Sequence, residues 1–150
     1  MTQSLPPRSL VLYADDDEDD KQLVIDAFNE HARNVELITF NDGIELMDYV
    51  GQMNPDDHLP CLIILDINMP RLNGKETLRR LRNTNGFSDI PAVIFTTSSM
   101  PADEIFAQRF QAGFVTKPIV TPQIYQIIDQ IIDHCTDEVQ NRIRKKGSSY

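Results

Sequence analysis

Ionisable and hydroxyl side chains follow four apolar segments of the sequence, each at the point where the segment ends. In chain order these side chains are Asp15 and Asp16, then Asp66, then Thr96 and Thr97, and finally Lys117. The carboxyl ends of parallel strands meet at one edge of a sheet, and such folds bind their ligands there. We therefore expect three carboxylates, one or two hydroxyls and one ammonium group to lie together.

This group of side chains suits phosphoryl chemistry assisted by a divalent metal. Neighbouring carboxylates repel one another unless a cation neutralises them. Their oxygen ligands favour Mg²⁺, with Mn²⁺ as a substitute, and Mg²⁺ commonly shares its shell with a phosphate. Asp66 would then be a nucleophile that forms an aspartyl phosphate, while Thr96 and Lys117 would hold phosphoryl oxygens. Taken singly, an acidic helix start or a turn aspartate is more often structural.

Five apolar segments alternate with five amphipathic ones, an order typical of βαβ units. The predicted strands are 9–14, 35–40, 61–65, 91–95 and 114–116. The predicted helices are 19–30, 44–50, 75–83, 102–110 with Gly113 as C-cap, and 121–135 with Thr121 and Pro122 in its first turn. This α/β alternation predicts a doubly wound, five-stranded parallel sheet with helices on both faces.

The first predicted helix has a clear apolar stripe. Its members are Leu23, Val24, Ala27 and Phe28. The polar residues Asp19, Asp20, Lys21, Asp26 and Glu30 are therefore expected on the solvent side of this helix.

Composition and charge limit the classes of protein that this sequence can represent. The chain has 150 residues, of which 41% are hydrophobic and 25% are charged, as in one ordinary globular domain. The predicted limits are an N-terminal extension at 1–8, the domain at 9–136 and a basic tail at 137–150 that is partly helical or frayed. A formal net charge of −9 disfavours nucleic acid and anionic membranes as partners.

The two cysteines and the absence of a long apolar run favour a cytoplasmic protein. Cys61 and Cys135 lie in apolar surroundings, which predicts two buried thiols rather than a disulfide framework. No apolar run is long enough for a signal peptide or a membrane-spanning helix.

Several motifs, in this order and at this spacing, resemble a bacterial two-component response regulator receiver domain. They are Asp15-Asp16, Leu65-Asp66-Ile67-Asn68-Met69-Pro70 followed by Gly74, Phe95-Thr96-Thr97, and Lys117-Pro118. The resemblance covers about residues 10–135 and is of the stand-alone kind, like the chemotaxis regulators. It implies the flavodoxin-like (βα)5 receiver fold with strand order 2-1-3-4-5.

The resemblance also implies a function for individual residues. Asp66 would be the phosphorylation site, and Asp15, Asp16, Asp66 and the backbone carbonyl of Asn68 would hold Mg²⁺. Thr96 and Lys117 would contact the phosphoryl group, and Thr96 with Phe114 would form the conformational switch. Asn68, Thr97 and Ser98 would tune access to the phosphate and its loss. The Lys117–Pro118 peptide resembles one that is cis in the family.

A receiver of this kind would be a phosphoacceptor that assists its own phosphorylation and dephosphorylation, and not an enzyme with a separate substrate. Its phosphoryl group would come from a sensor histidine kinase or a histidine phosphotransfer protein. Its output would be contact with a downstream protein, relay of the phosphoryl group to a partner, or removal of phosphate from a kinase as a phosphate sink. Phosphorylation would also allow a homodimer to form. Neither membrane nor nucleic acid is expected as a partner.

Two other functions use parts of the same pattern. A magnesium phosphatase of the haloacid dehalogenase type needs a second aspartate as general acid where Asn68 stands. A flavodoxin-like flavin or nucleotide binder needs a glycine-rich or hydroxyl-rich phosphate loop after the first strand, where this chain has the acidic segment 15–20.

Overall fold

The computed structural model describes residues 8–54, 56–118 and 124–144. The strands are β1 (Ser9–Ala14), β2 (Val35–Phe40), β3 (Leu62–Leu65), β4 (Ala92–Thr96) and β5 (Gly113–Thr116). The helices are α1 (Glu18–His31), α2 (Gly43–Gly51), α3 (Gly74–Arg82), α4 (Pro101–Arg109), α5 (Ile124–Ile132) and α6 (Asp137–Ile143). The strands form one parallel sheet in the order β2-β1-β3-β4-β5, which confirms the expected topology.

The predicted elements agree with the observed ones to within one residue, apart from the ends of α5. The predicted first-turn residues Thr121 and Pro122 lie outside the described residues, and α5 ends at Ile132, short of Cys135. Within the described ranges, no helix combines the length and the apolar character that crossing a membrane requires.

The sheet separates two apolar layers, because successive side chains of a strand point to opposite faces. Val11 and Tyr13 of β1 pack in the layer that contains α1, α5 and α6. Leu12 and Ala14 pack in the layer that contains α2, α3 and α4. The central strands are consequently buried on both faces, which explains their uninterrupted apolar sequences.

The strand register places the carboxyl ends of β1, β3, β4 and β5 at one edge of the sheet. Ala14 pairs with Leu65, and Thr96 pairs with Thr116. Parallel pairing continues one residue further. The backbone N–H of Asp66 donates to the Ala14 carbonyl at 3.0 Å, and that of Lys117 donates to the Thr96 carbonyl at 2.8 Å. These two backbone hydrogen bonds therefore fix the positions of Asp66 and Lys117 relative to the neighbouring strands.

Two local predictions were wrong. Gly113 begins β5 and is not the C-cap of α4, where Phe110 takes that position. A Cβ at residue 113 would lie 2.4 Å from the ring of His134, so a larger residue here would displace that exposed ring. Cys135 is buried as predicted, but Cys61 is only half-buried, because it lies just before β3 at the edge of the apolar layer.

The segment predicted to be a partly helical or frayed tail contains α6. The Thr136 side chain caps this helix, and Val139 and Ile143 are buried in the same apolar layer as α1 and α5. Arg144 then pairs with Ala32 in an isolated antiparallel bridge. Packing therefore continues past Thr136, the predicted end of the domain.

Gly74 begins α3 directly beneath the backbone of Asp66. A Cβ at this position would lie 2.0 Å from the Asp66 carbonyl oxygen, whereas a Cβ at Gly51 would meet nothing within 4 Å. We predict that Gly74→Ala lowers the free energy of unfolding by about 3 kcal/mol, since the clash is with backbone. The matched control Gly51→Ala should leave it unchanged or raise it by up to about 1 kcal/mol. Equilibrium denaturant unfolding measures both, and equal stabilities of the two variants would contradict the close approach.

Candidate functional site

The ammonium group of Lys117 lies among three carboxylates at the edge of the sheet. Its Nζ is 2.7 Å from Asp15 Oδ2, 2.8 Å from Asp20 Oδ2 and 3.0 Å from Asp66 Oδ2. Asp15 is fully buried, and Asp66 and Lys117 are nearly so. An ammonium has three donors, and each of them can therefore meet one carboxylate.

Burial and neighbouring charge act on these groups in opposite directions. Burial raises the pKa of Asp66 above its ordinary value, although the Lys117 ammonium lowers it. Burial disfavours the charged form of Lys117, but hydrogen bonds to Asp15 and Asp20 outweigh this effect and raise the pKa of Lys117. Lys117 therefore remains a cation at neutral pH.

In addition to Lys117, two groups of its own segment hold the Asp15 carboxylate. Its Oδ2 accepts a hydrogen bond from the Tyr13 hydroxyl at 2.6 Å, and its Oδ1 accepts one from the Asp17 N–H at 2.9 Å. Burial and the adjacent Asp15 carboxylate raise the pKa of Tyr13 far above its ordinary value, so the hydroxyl keeps its proton and donates. Both oxygens of Asp15 are therefore fixed in direction.

Asp15, Asp16 and Asp66, which we call the acidic triad, can present one carboxylate oxygen each within 4.8 Å of one another. Asp16 is exposed, whereas the other two are buried, so the triad opens to solvent on one side. Such a set of oxygen ligands suits a divalent cation. Asn68, whose backbone carbonyl was predicted as a further ligand, is exposed in the loop after β3, two residues past Asp66.

Thr96 is fully buried at the end of β4, and a polar network leads from it towards the helices. Its Oγ1 accepts a hydrogen bond from the Ser98 N–H at 3.3 Å. The Ser98 hydroxyl donates to Asp103 of α4, and Lys75 of α3 forms an ion pair with the same carboxylate. Lys75 and Ser98 hold the pKa of Asp103 below its ordinary value. The loop after β4 is thereby tied to both helices.

The remaining predicted residues lie around this edge. Thr97 is exposed at the loop surface, and Phe114 is half-buried in β5 against the layer that contains α2 to α4. Among the described residues no peptide bond is cis, so the Lys117–Pro118 bond is trans, in contrast to the one it resembles.

Sequence reasoning missed the contribution of Asp20, Lys21 and Tyr13. Asp20 and Lys21 were expected on the solvent side of α1, but Asp20 faces Lys117, and Lys21 is buried against Glu18 and Asn41. The first turn of α1 begins at the edge of the sheet, so a polar residue of this turn can contact the site as well as solvent. The spacing of Tyr13 and Asp15 could have indicated their contact. Residues two apart in a strand point to the same face of the sheet, and Asp15 lies two residues after Tyr13.

Comparisons with known proteins identify similar chains over most of the sequence. Residues 11–129 match the family described as "Response regulator receiver domain". Response regulator Rcp1 of Synechocystis sp. is 27% identical over 132 residues, which cover 86% of this chain and 89% of the relative.

Two solved structures share the fold. The phosphorylated cyanobacterial phytochrome response regulator RcpA superposes with a TM-score of 0.78 at 25% identity, covering 87% of this chain and 96% of that one. The Mn²⁺-bound form of response regulator Rcp1 gives a TM-score of 0.74 at 26% identity, covering 82% of this chain and 91% of that one.

Substitution of one carboxylate of the acidic triad tests whether the triad binds a metal ion. We predict that Asp16→Asn weakens Mn²⁺ binding at least about 10-fold, because the variant loses a charged ligand. The matched control Asp19→Asn removes an exposed carboxylate of the same segment that is outside the triad, and it should change the affinity by no more than about 2-fold. Isothermal titration with Mn²⁺ measures both. Equal losses in the two variants would show that only the overall charge of the segment matters.

Proposed function

The chain belongs to the response regulator receiver domain family of phosphoacceptor signalling domains, and from that premise we propose that Asp66 accepts the phosphoryl group. Family membership implies a histidine kinase as a partner. The observation that carries the assignment is the position of Asp66 at the end of β3. Strand β3 lies between β1, which ends at the acidic triad, and β4, which ends at Thr96.

The hydrogen bonds of the two buried aspartates favour Asp66 over Asp15 as the nucleophile. Both oxygens of Asp15 are engaged, and its Oδ2 is shared by Tyr13 and Lys117. Asp66 accepts one hydrogen bond at Oδ1 from the Ile67 N–H at 2.7 Å and one contact at Oδ2 from Lys117. Because Asp66 has fewer donors, more of its lone-pair density is left for attack on phosphorus.

The proposed step transfers a phosphoryl group without any change of oxidation state. An oxygen of Asp66 gives an electron pair to phosphorus, and the bond from phosphorus to the donor's histidine nitrogen breaks. The nitrogen keeps that electron pair, and the ring leaves as neutral imidazole when its other nitrogen carries a proton. Lys117 and the Thr96 hydroxyl then hold phosphoryl oxygens through charge and hydrogen bonding.

We propose Asp15, Asp16, Asp66 and the Asn68 carbonyl as the residues that hold Mg²⁺, with Mn²⁺ as a substitute. The acidic triad fits such an ion by its oxygen chemistry, and the relative Rcp1 has been solved in a Mn²⁺-bound form. The bound ion would neutralise the charge that otherwise repels an anionic phosphoryl donor.

The conformational part of the proposal uses residues outside the acidic triad. Thr96 and Phe114 form the switch, and the Ser98–Asp103 hydrogen bond connects movement of Thr96 to α4. Asn68, Thr97 and Ser98 tune the access of water to the phosphate. The phosphoryl group shifts the population of two conformations, as in other switches driven by local charge.

Family membership also supports a proposal for the partners and the location of this protein. A histidine kinase or a histidine phosphotransfer protein supplies the phosphoryl group, and the output is contact with a protein target, relay to a partner, or removal of phosphate from a kinase as a sink. A phosphorylation-dependent homodimer is a further proposed partner. The net charge of −9 disfavours nucleic acid as the target. Two free thiols suit the reducing cytoplasm, which is where we propose that this protein acts. We further propose residues 9–136 as the receiver unit, preceded by the extension at 1–8. The basic segment 137–150 follows this unit, and its helix α6 packs against the apolar layer that contains α1 and α5.

Phosphorylation by a small donor tests the assignment of Asp66 without a known kinase. Incubation with acetyl phosphate and Mg²⁺ should add the mass of one phosphoryl group to the wild type and to the exposed control Asp89→Asn, as measured by intact mass spectrometry. Asp66→Asn should gain no such mass, since an amide oxygen is a poor nucleophile. A chelator should abolish the adduct of the wild type. An undiminished adduct on Asp66→Asn would show that another residue is the acceptor.

A further inference from the structure

Lys117 has one carboxylate partner that the acidic triad does not include. Asp20 lies in the first turn of α1, and its Oδ2 is 2.8 Å from Lys117 Nζ. The side chain of Asp20 is 32% exposed, whereas that of Lys117 is 6% exposed. Asp20 therefore covers the ammonium from the solvent side of the pocket.

The position of Asp20 is fixed by the start of α1. The Asp20 N–H donates to Oδ1 of the N-cap residue Asp17 at 3.0 Å, and the Asp17 N–H in turn donates to Asp15 Oδ1. The Phe95 ring lies on another side of the ammonium, with its centroid 5.8 Å from Lys117 Nζ. The ammonium is consequently enclosed by the two buried triad carboxylates, an aromatic ring and Asp20.

The three carboxylates around Lys117 differ in what they must do during phosphoryl transfer. Asp15 and Asp66 are shared between the ammonium and the acidic triad, so an ion held there competes for their oxygens. Asp66 must also release its contact with Lys117 when it becomes the acceptor. Asp20 belongs to neither the triad nor the acceptor, and its contact with Lys117 can persist throughout.

We propose that Asp20 is a positioning residue for Lys117, an inference that rests on the proposed function of Asp66. Asp20 holds the ammonium at the pocket while one of its N–H donors moves from Asp66 Oδ2 to an oxygen of the incoming phosphoryl group. Its effect on the reaction is therefore exerted through Lys117. A positioned donor lowers the barrier because its orientation is fixed before the reaction.

A purely electrostatic effect of Asp20 would have the opposite sign. An extra carboxylate repels an anionic phosphoryl donor, so its neutralisation alone would speed phosphorylation. Asp19 is an exposed carboxylate beside Asp20 in the same turn and serves as the matched charge control. Comparison of Asp20→Asn with Asp19→Asn separates position from charge.

The test is the rate of phosphorylation by acetyl phosphate in saturating Mg²⁺, followed by intact mass spectrometry. In this reaction the Asp66 oxygen bonds to phosphorus, and acetate leaves with the electron pair of the broken P–O bond. We expect Asp20→Asn to slow the reaction about 10-fold and Asp19→Asn to change it by less than about 2-fold. Asp20→Glu, which keeps the carboxylate, should recover part of the loss.

A double-mutant cycle shows whether Asp20 acts through Lys117. In a Lys117→Met background, Asp20→Asn should change the rate by less than about 2-fold, because the group that it positions is gone. Mn²⁺ affinity and the thermal midpoint of Asp20→Asn should stay close to those of the wild type, since a metal ligand or a structural residue would shift one of them.

Three results would overturn the inference. They are an Asp20→Asn rate at or above that of the wild type, an equal loss in the Lys117→Met background, and a matching loss of Mn²⁺ affinity. If the wild type itself gains no phosphoryl group, the proposed function fails and this inference fails with it. If the wild type reacts and Asp20→Asn reacts equally well, only the positioning role is wrong.

Discussion

The ion contacts of Lys117 are the interaction on which the functional edge of this protein depends. Parallel pairing brings Asp15 and Asp66 side by side at the ends of β1 and β3, and both are buried there. Two buried carboxylates without a cation would be strongly destabilising, because each loses its hydration and repels the other. Lys117, fixed at the end of β5 by its backbone bond to Thr96, supplies that cation.

This arrangement makes the site responsive to added charge. One ammonium faces several carboxylates, so negative charge remains in excess and a divalent cation can join them. Under the proposed function, such a cation and Lys117 would together offset the charge of an anionic phosphoryl group. Asp15 and Asp66 contact the ammonium and also belong to the acidic triad. The contacts of Lys117 must therefore change when a cation binds to the triad. The network from Thr96 through Ser98 to Asp103 and Lys75 offers a path from this edge to α3 and α4.

The sequence allowed prediction of the sheet, its element boundaries and the residues that follow each strand. Those predictions depend on two features that a sequence can show. Apolar runs are visible in short segments, and parallel strands end at one edge of a sheet because of their topology. Asp20 and Lys21 were misplaced because the direction of a side chain at a helix start depends on how the helix docks. Gly113 was assigned to a helix cap because no sequence pattern shows that the His134 ring would lie over it. The α6 helix was expected only in part, since two apolar residues in a basic segment give a weak periodic signal.

Lys117 compensates the charge of buried carboxylates that a divalent cation can also neutralise. Equilibrium unfolding of Lys117→Met and of the wild type, each in chelator and in saturating Mn²⁺, tests this compensation. We predict that the variant loses about 3 kcal/mol of unfolding free energy in chelator, as when one partner of a buried ion pair is removed. Mn²⁺ should then stabilise the variant more than the wild type. Equal stability of the two proteins in chelator, or equal stabilisation by Mn²⁺, would contradict this role of Lys117.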